Sequence, residues 1–167
     1  LGAIRTTRRF FPDGLFGEGP EKARSRQMRA AQVHVASALA PFATAVADLP
    51  AEVVAGCSGT IETLAAMARA KAGENGRSAN GSTMTRRELD AVVDAILEAT
   101  SLDDLKSLPG MEPSRADIIV GGALIVQGAL MQARSVQRAI GEQDRLDIAL
   151  GMAGGMAQLM FQPDDPI

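Results

Sequence analysis

The longest apolar stretch, residues 116–131, constrains the fold more than any other segment of the sequence. It consists of ADIIVGGALIVQGALM, includes Asp117 and Gln127, and is shorter than a membrane span. Gly121 and Gly122 permit neighbouring backbones to approach closely, so we predict a long helix that is buried on most sides. The 167 residues include five Phe and no Trp or Tyr. Closely packed helices with a small sheet, in one domain, are therefore favoured.

A strand, a turn and a helix are predicted around the small-residue segment GCSGT at residues 56–60. The β-branched stretch AEVVA before it is typical of a buried strand, and TIETLAAMARAKA after it is typical of a helix. A glycine-flanked turn at a helix N-terminus exposes backbone N–H groups, which favour an anion such as phosphate. The alternative is structural, because Ser58 or Thr60 would also serve as a helix cap.

The other segments are interpreted from periodicity and turn residues. Thr85 and Glu88 have the spacing of a capping box before a helix that ends near Thr100. The remaining predicted elements are a strand or extended segment at 1–11, a helix from Pro20 to Pro41 or one turn beyond, a short helix at 101–108, a compact turn at 109–115, a short strand at 135–140 and a final helix at 145–161.

The charge distribution limits the partners. A net charge of −3 does not suggest general or specific binding to nucleic acid. Residues 1–29 nevertheless carry seven cationic side chains against three carboxylates, so an anionic ligand could bind there. Arg115 lies near the predicted start of the buried helix, where the helix dipole disfavours a cation. An anionic partner would explain this placement, and so would an ion pair with Glu112 or Asp117.

No catalytic set can be assembled from these residues. The single His, His34, is interpreted as a packing residue on a helix surface, and Cys57 as a small turn residue. Glu62 is explained by the dipole of its helix. One Cys excludes an internal disulfide, and one His with one Cys cannot supply an ordinary zinc site. We therefore assign neither a catalytic residue nor a metal ligand in this chain.

Three segments in order resemble one family over roughly residues 1–130. They are LGAIRTTRRFF followed by PDG, then VVAGCSGTIETLAAM, then LPGMEPSRADIIVGGALI. Together they are similar to the exopolyphosphatase and guanosine pentaphosphate phosphohydrolase family of the actin-like ATPase superfamily. The resemblance implies an α/β, RNase-H-like second domain that is helix-rich with a small sheet. It also implies that residues 1–167 form the C-terminal domain of a two-domain phosphohydrolase whose catalytic domain precedes Leu1.

The resemblance assigns substrate-binding residues and a cofactor. Gly56, Ser58, Gly59 and Thr60 match the family's phosphate-facing turn, and Arg115 and Arg5 match family arginines. These residues would form the far wall of a cleft for polyphosphate or guanosine pentaphosphate (pppGpp). Mg²⁺ and the carboxylate that activates water would be held mainly by the missing domain. The tail departs from the family pattern, because Asp147 and Leu150 are not followed by Arg-Glu-Gly.

Two functions remain open at this stage. The parent protein is either a cytoplasmic phosphohydrolase that removes terminal phosphate, with this chain inactive alone, or a non-catalytic actin-like module that binds a nucleotide or alarmone or serves in assembly. A sheet without its first strands exposes an edge and an apolar face. We therefore expect a homodimer, with the N-terminal segment as one route to dimerisation, and no membrane partner.

Overall fold

The computed structural model describes residues 1–12, 16, 21–48, 55–74, 81–132 and 145–148. Six helices and three short strands occur in these residues: α1 (Ala3–Phe10), α2 (Glu21–Ala45), β1 (Ala55–Gly56), α3 (Gly59–Lys71), β2 (Thr83–Thr85), α4 (Arg86–Glu98), α5 (Leu102–Ser107), α6 (Ile119–Gln132) and β3 (Arg145–Ile148). The helix-rich α/β architecture with a small sheet, predicted from the sequence, is confirmed.

Helix α6 is the centre of the packing, as the apolar stretch predicts. It contacts α1, α2, α3 and α4. Glycines make three of these contacts close: a Cβ on Gly121 would lie 2.7 Å from the Ala3 carbonyl oxygen, one on Gly122 2.6 Å from Thr60 Oγ1, and one on Gly128 2.6 Å from Val35 Cγ1. The predicted close backbone approach is confirmed at Gly121, whereas the close neighbour of Gly122 is the Thr60 side chain. Any side chain at these positions would push a neighbouring helix away from α6.

The core is built mainly from aliphatic side chains and methionine, together with Phe11. Helix α4 contributes Leu89, Val92, Val93 and Ile96, whose spacing places them on one buried face. The predicted capping box starts this helix, because the Glu88 N–H donates to Thr85 Oγ1 at 3.2 Å and the Thr85 N–H donates to Glu88 Oε2 at 2.7 Å. The other largest fully buried side chains are Leu64, Met84, Leu105, Ile119, Val35 and Val120.

The strands form one three-stranded sheet in the order β1-β3-β2. The central strand β3 pairs in parallel with β1, with Gly56 opposite Ile148, and antiparallel with β2, with Met84 opposite Leu146. The prediction of a helix from residue 145 is wrong at residues 145–148. Ladder pairing with two neighbours decides the conformation there, and a single-sequence pattern does not contain those neighbours. The rest of that predicted helix, and the strand predicted at 135–140, lie outside the described residues.

The prediction of a strand at the N-terminus is also wrong, because residues 3–10 form α1. Adjacent Thr6 and Thr7 are both buried, whereas Ile4 is half exposed, which is a helical pattern and not an alternating one. Thr7 Oγ1 donates to the Ile118 carbonyl at 3.4 Å. Packing against α6 therefore outweighs the strand propensity of these β-branched residues.

Helix α2 ends at Ala45, one turn beyond Pro41, as predicted. None of the helices in the described residues combines the length and the apolarity that a bilayer crossing requires.

Candidate anion site

The turn between β1 and α3 has the cap that the sequence offers as its structural explanation. Ser58 is the N-cap of α3, and its Oγ accepts a hydrogen bond from the Ile61 N–H at 3.2 Å. Its carbonyl accepts from the Glu62 N–H at 2.9 Å. Among the described residues, no acceptor lies within hydrogen-bond distance of the N–H groups of Gly59 and Thr60. These two groups form the free part of the helix N-terminus.

Arg115 lies against this free helix end. A Cβ on Gly59 would overlap the Arg115 guanidinium, which therefore rests directly on the Gly59 backbone. The arginine belongs to a 3-10 turn, Pro113–Arg115, and α6 begins only at Ile119. The prediction that Arg115 occupies the first turn of the buried helix is thus wrong, because a separate short turn precedes that helix. Its charge bears instead on the N-terminus of α3.

Glu112 holds the guanidinium from the other side. Arg115 Nε donates to Glu112 Oε2 at 2.9 Å, and the Ser114 hydroxyl donates to Glu112 Oε1 at 2.6 Å. These two contacts, the Ser114 hydrogen bond first, lower the pKa of the Glu112 carboxyl from its ordinary value of 4.5. Of the two ion pairs left open by the sequence, the structure forms the one with Glu112. Because Glu112 takes Nε, the two Nη groups are left on the Gly59 side.

The other predicted binding residues have different surroundings. Thr60 packs its side chain against Gly122 of α6, and Gly56 is buried beside Ile61. Both support the turn. Arg5 lies exposed on α1. The structure therefore brings together Ser58, Gly59, Thr60 and Arg115, and Arg5 stays a prediction.

His34 and Cys57, which are interpreted as structural residues from the sequence, have different surroundings. The His34 ring packs against Phe10, with centroids 5.2 Å apart, and Cys57 is exposed. Asp104 accepts a hydrogen bond from the Thr100 hydroxyl at the start of α5. The described residues contain no group of three or more His, Cys, Asp or Glu side chains that could hold a metal ion.

Comparison with known proteins identifies the family. A model described as the Ppx/GppA phosphatase family matches residues 1–140, which is most of the chain. The chain belongs to the Ppx/GppA phosphatase family. The function that this membership supports for the family is of the exopolyphosphatase type. A comparison with curated proteins finds no match.

Solved structures agree on the fold. A crystal structure of the Aquifex aeolicus Ppx/GppA phosphatase is 19% identical, with a TM-score of 0.58 over 89% of this chain and 43% of that protein. An exopolyphosphatase-like protein is 20% identical, with a TM-score of 0.69 over 90% and 44%. An exopolyphosphatase from Cytophaga hutchinsonii is 17% identical, with a TM-score of 0.56 over 72% and 38%.

The Ppx/GppA chain thus has the actin-like ATPase fold that its resemblance implies, and it spans less than half the length of these relatives. No pattern within the chain alone could have paired Gly59 with Arg115, since the two lie on separate elements. The family motif did group them.

Proposed function

We propose that this chain is the second domain of an exopolyphosphatase or guanosine pentaphosphate phosphohydrolase and forms the substrate-binding wall of its phosphate cleft. The observation that carries the proposal is the Arg115 guanidinium resting on Gly59 at the N-terminus of α3. Ser58, Gly59, Thr60 and Arg115 would bind phosphate oxygens there. Gly56 would support the turn, and Arg5 is included on the family resemblance alone.

The electrostatics of this arrangement favour an anion. A guanidinium beside the positive end of a helix is unfavourable by itself, because both repel a cation and attract an anion. Glu112 offsets the charge of Arg115, and Glu62 in the first turn of α3 offsets part of the helix dipole. Within the described residues, the N–H groups of Gly59 and Thr60 still have no hydrogen-bond acceptor. A phosphate oxygen that accepts from these N–H groups and from the Nη groups of Arg115 would complete the site.

In this proposal the chain binds the substrate phosphates but does not carry out the hydrolytic step. A general base must lie within hydrogen-bond reach of the attacking water. The one imidazole packs on Phe10 between α1 and α2, away from the α3 turn. We therefore assign the carboxylate that activates water, and the Mg²⁺ ligands, to the other domain of the parent protein.

Calorimetric titration of this chain with inorganic tripolyphosphate tests the binding wall. We expect binding by the native chain and a loss of about tenfold or more for Arg115→Ala, since a hydrogen-bonded charge contributes about 1.5–3 kcal/mol. Arg115→Lys should recover part of the affinity, because lysine keeps the charge and loses the fork geometry. Arg87→Ala, an exposed arginine on α4, is the matched control and should bind as the native chain does. Equal affinities for the Arg115→Ala and Arg87→Ala variants would contradict the proposal.

Phosphate release from polyphosphate and from pppGpp tests the assignment of the chemistry. The full-length parent protein should release phosphate, and this chain alone should not. Turnover by the purified chain would show that the hydrolytic base lies within it. Tight binding of pppGpp or tripolyphosphate without any turnover by the parent protein would instead support the non-catalytic module.

A further inference from the structure

A groove between α1 and α2 has an apolar floor and a purely cationic rim. Its volume is about 460 Å³, and it is lined by Arg9, Phe10, Arg26, Arg29, Ala30, Val33 and His34. We call these seven residues the arginine groove. They lie on different elements from the α3 turn, so the groove is independent of the candidate anion site.

The apolar part of the groove is unusually open to solvent. Val33 is 60% exposed, which makes it the most exposed large apolar side chain in the described part of the chain. Ala30 beside it is also exposed, and Phe10 is half buried against the core. An aliphatic anchor of this kind gains free energy when another apolar group covers it.

None of the described side chains that line the groove is a carboxylate. Helix α1 contains no acidic residue, and neither does α2 after Glu21. Within the described residues Arg9, Arg26 and Arg29 form no salt bridge, whereas Arg69, Arg86 and Arg115 each form one. Arg26, Arg29, Ala30 and Val33 have the spacing of one stripe along α2. Charge complementarity therefore calls for an anionic partner along this stripe.

Arg29 also borders a second groove, of about 530 Å³, between α2 and the end of α4. There Arg24 donates to the carbonyls of Leu97 and Ala99 at 2.9 and 2.8 Å, and Glu98 lines the same space. The second groove thus supplies its own acceptors. Among the side chains that line the arginine groove, the His34 ring is the one that offers a hydrogen-bond acceptor.

We propose that the arginine groove docks an acidic, amphipathic segment of another protein. Carboxylates of the segment would pair with Arg9, Arg26 and Arg29, and its apolar side chains would cover Val33. The stripe from Arg26 to Val33 extends about 10 Å at the helical rise per residue, which matches two turns of a partner helix. Helix-in-groove docking of this kind uses anchors at the same spacing on the partner.

Three other occupants fit less well. A nucleic acid would pair its phosphates with the arginines, but base stacking on Phe10 would compete with Arg9, whose Cζ lies 5.4 Å from the ring centroid, and with the His34 ring at 5.2 Å. A phosphate polymer would gain nothing by covering Val33. A second copy of this chain in a symmetric pairing would bring the same arginines together, which is repulsive. The predicted homodimer therefore uses another surface.

Fluorescence anisotropy with three helical peptides of equal length tests the docking. The first peptide carries a Leu stripe flanked by Glu, the second replaces Glu with Lys, and the third replaces Leu with Ser. We expect the full chain to bind the first peptide, and to bind each of the others at least about tenfold more weakly. Raising the salt concentration should weaken the first complex, because rim charges are exposed.

Variants of the chain locate the peptide. Val33→Glu and Arg26→Glu should each weaken the first peptide about tenfold or more, while Arg87→Glu on α4 should leave it unchanged. Val33→Ser serves as a milder variant if Val33→Glu fails to fold, and circular dichroism checks each fold. Four results would overturn the proposal. The first two are no binding of the first peptide and equal binding of the first and the Ser peptides. The other two are displacement of the bound first peptide by a single-stranded oligonucleotide or polyphosphate at a lower concentration than free first peptide needs, and a dimer in sedimentation that Val33→Glu dissociates.

Discussion

Two cationic regions in the described part of the chain differ in how firmly each positive charge is held. In the candidate anion site, Arg115 rests on Gly59 and donates to Glu112 at 2.9 Å. In the arginine groove, Arg26 and Arg29 are exposed and have no ion pair within the described residues. The guanidinium of the anion site is therefore oriented by its contacts, whereas the guanidinium groups of the arginine groove are not.

This difference separates two kinds of recognition. A guanidinium held in place loses little side-chain entropy when a ligand binds, so the anion site should select by geometry. Unpaired surface arginines act mainly through long-range attraction, so the groove should be sensitive to salt and tolerant of sequence. Substitutions that disturb one region and spare the other can test whether the two are independent.

The largest expected effect is at Gly110, which positions the turn that carries Arg115. Gly110 has a φ of +76°, and a Cβ there would lie 2.5 Å from the Ala66 carbonyl oxygen and 2.7 Å from Met67 Cα. Gly110→Ala adds backbone strain and a clash with the backbone of α3, so urea unfolding should show a loss of about 2 kcal/mol or more. Tripolyphosphate binding should weaken as well, because the Arg115 turn must shift.

Gly81→Ala is the matched control for Gly110→Ala. Gly81 also has a positive φ, +70°, but nothing lies within 4 Å of its added Cβ. The loss should then be limited to strain, about 1 kcal/mol. Peptide binding at the arginine groove should survive in any Gly110→Ala protein that folds. Equal losses of stability in the two variants would show that the contact with α3 does not position the turn.

The next effect concerns Gly59, where binding and stability should move apart. The added methyl group of Gly59→Ala would displace the Arg115 guanidinium, which can swing away because it ends a flexible side chain. Alanine is also the better helix former, so stability should not fall. We expect tripolyphosphate affinity to fall about fivefold to tenfold, measured by calorimetry. Peptide binding at the groove should not change.

Gly2→Ala provides the control for Gly59→Ala. Gly2 is likewise a residue at a helix start, and its added Cβ meets nothing within 4 Å. This variant should bind tripolyphosphate as the native chain does. Unchanged affinity in the Gly59→Ala variant would mean that the close approach of Arg115 to the helix end is not needed for anion binding.

The two regions also show what the sequence could and could not predict. Local chemistry was predictable: the Thr85–Glu88 capping box and the helix after the GCSGT turn follow from residues near one another in the chain. The cationic excess of residues 1–29 was also visible. Features set by distant partners were not predictable, such as α1 packed on α6 and β3 between two strands. The sequence allowed an ion pair of Arg115 with either Glu112 or Asp117, and the fold determines that it forms with Glu112.

The smallest expected effect is the pH dependence of the anion site through Glu112. Its carboxyl has a lowered pKa because Ser114 and Arg115 donate hydrogen bonds to it. The stabilisation from these contacts is complete above the unfolded pKa of a glutamate and is lost as the pH falls through the lowered folded pKa. Because Glu112 is exposed, its effect on unfolding will be slight, and binding is the better measurement.

The comparison with Glu112→Gln isolates this carboxylate. Near neutral pH the glutamine variant should bind tripolyphosphate severalfold more tightly, because it removes a negative charge beside Arg115 and keeps an acceptor for it. Since a protonated glutamate resembles glutamine, the ratio of the two affinities should approach one only as the pH falls through the lowered folded pKa of Glu112, below its ordinary value of 4.5. Taking the ratio at each pH cancels the protonation of the tripolyphosphate itself. A ratio that stays constant from neutral to acid pH would show that the charge of Glu112 does not affect anion binding by Arg115. The ion pair with Glu112 would then not distinguish Arg115 from Arg26 and Arg29 of the arginine groove.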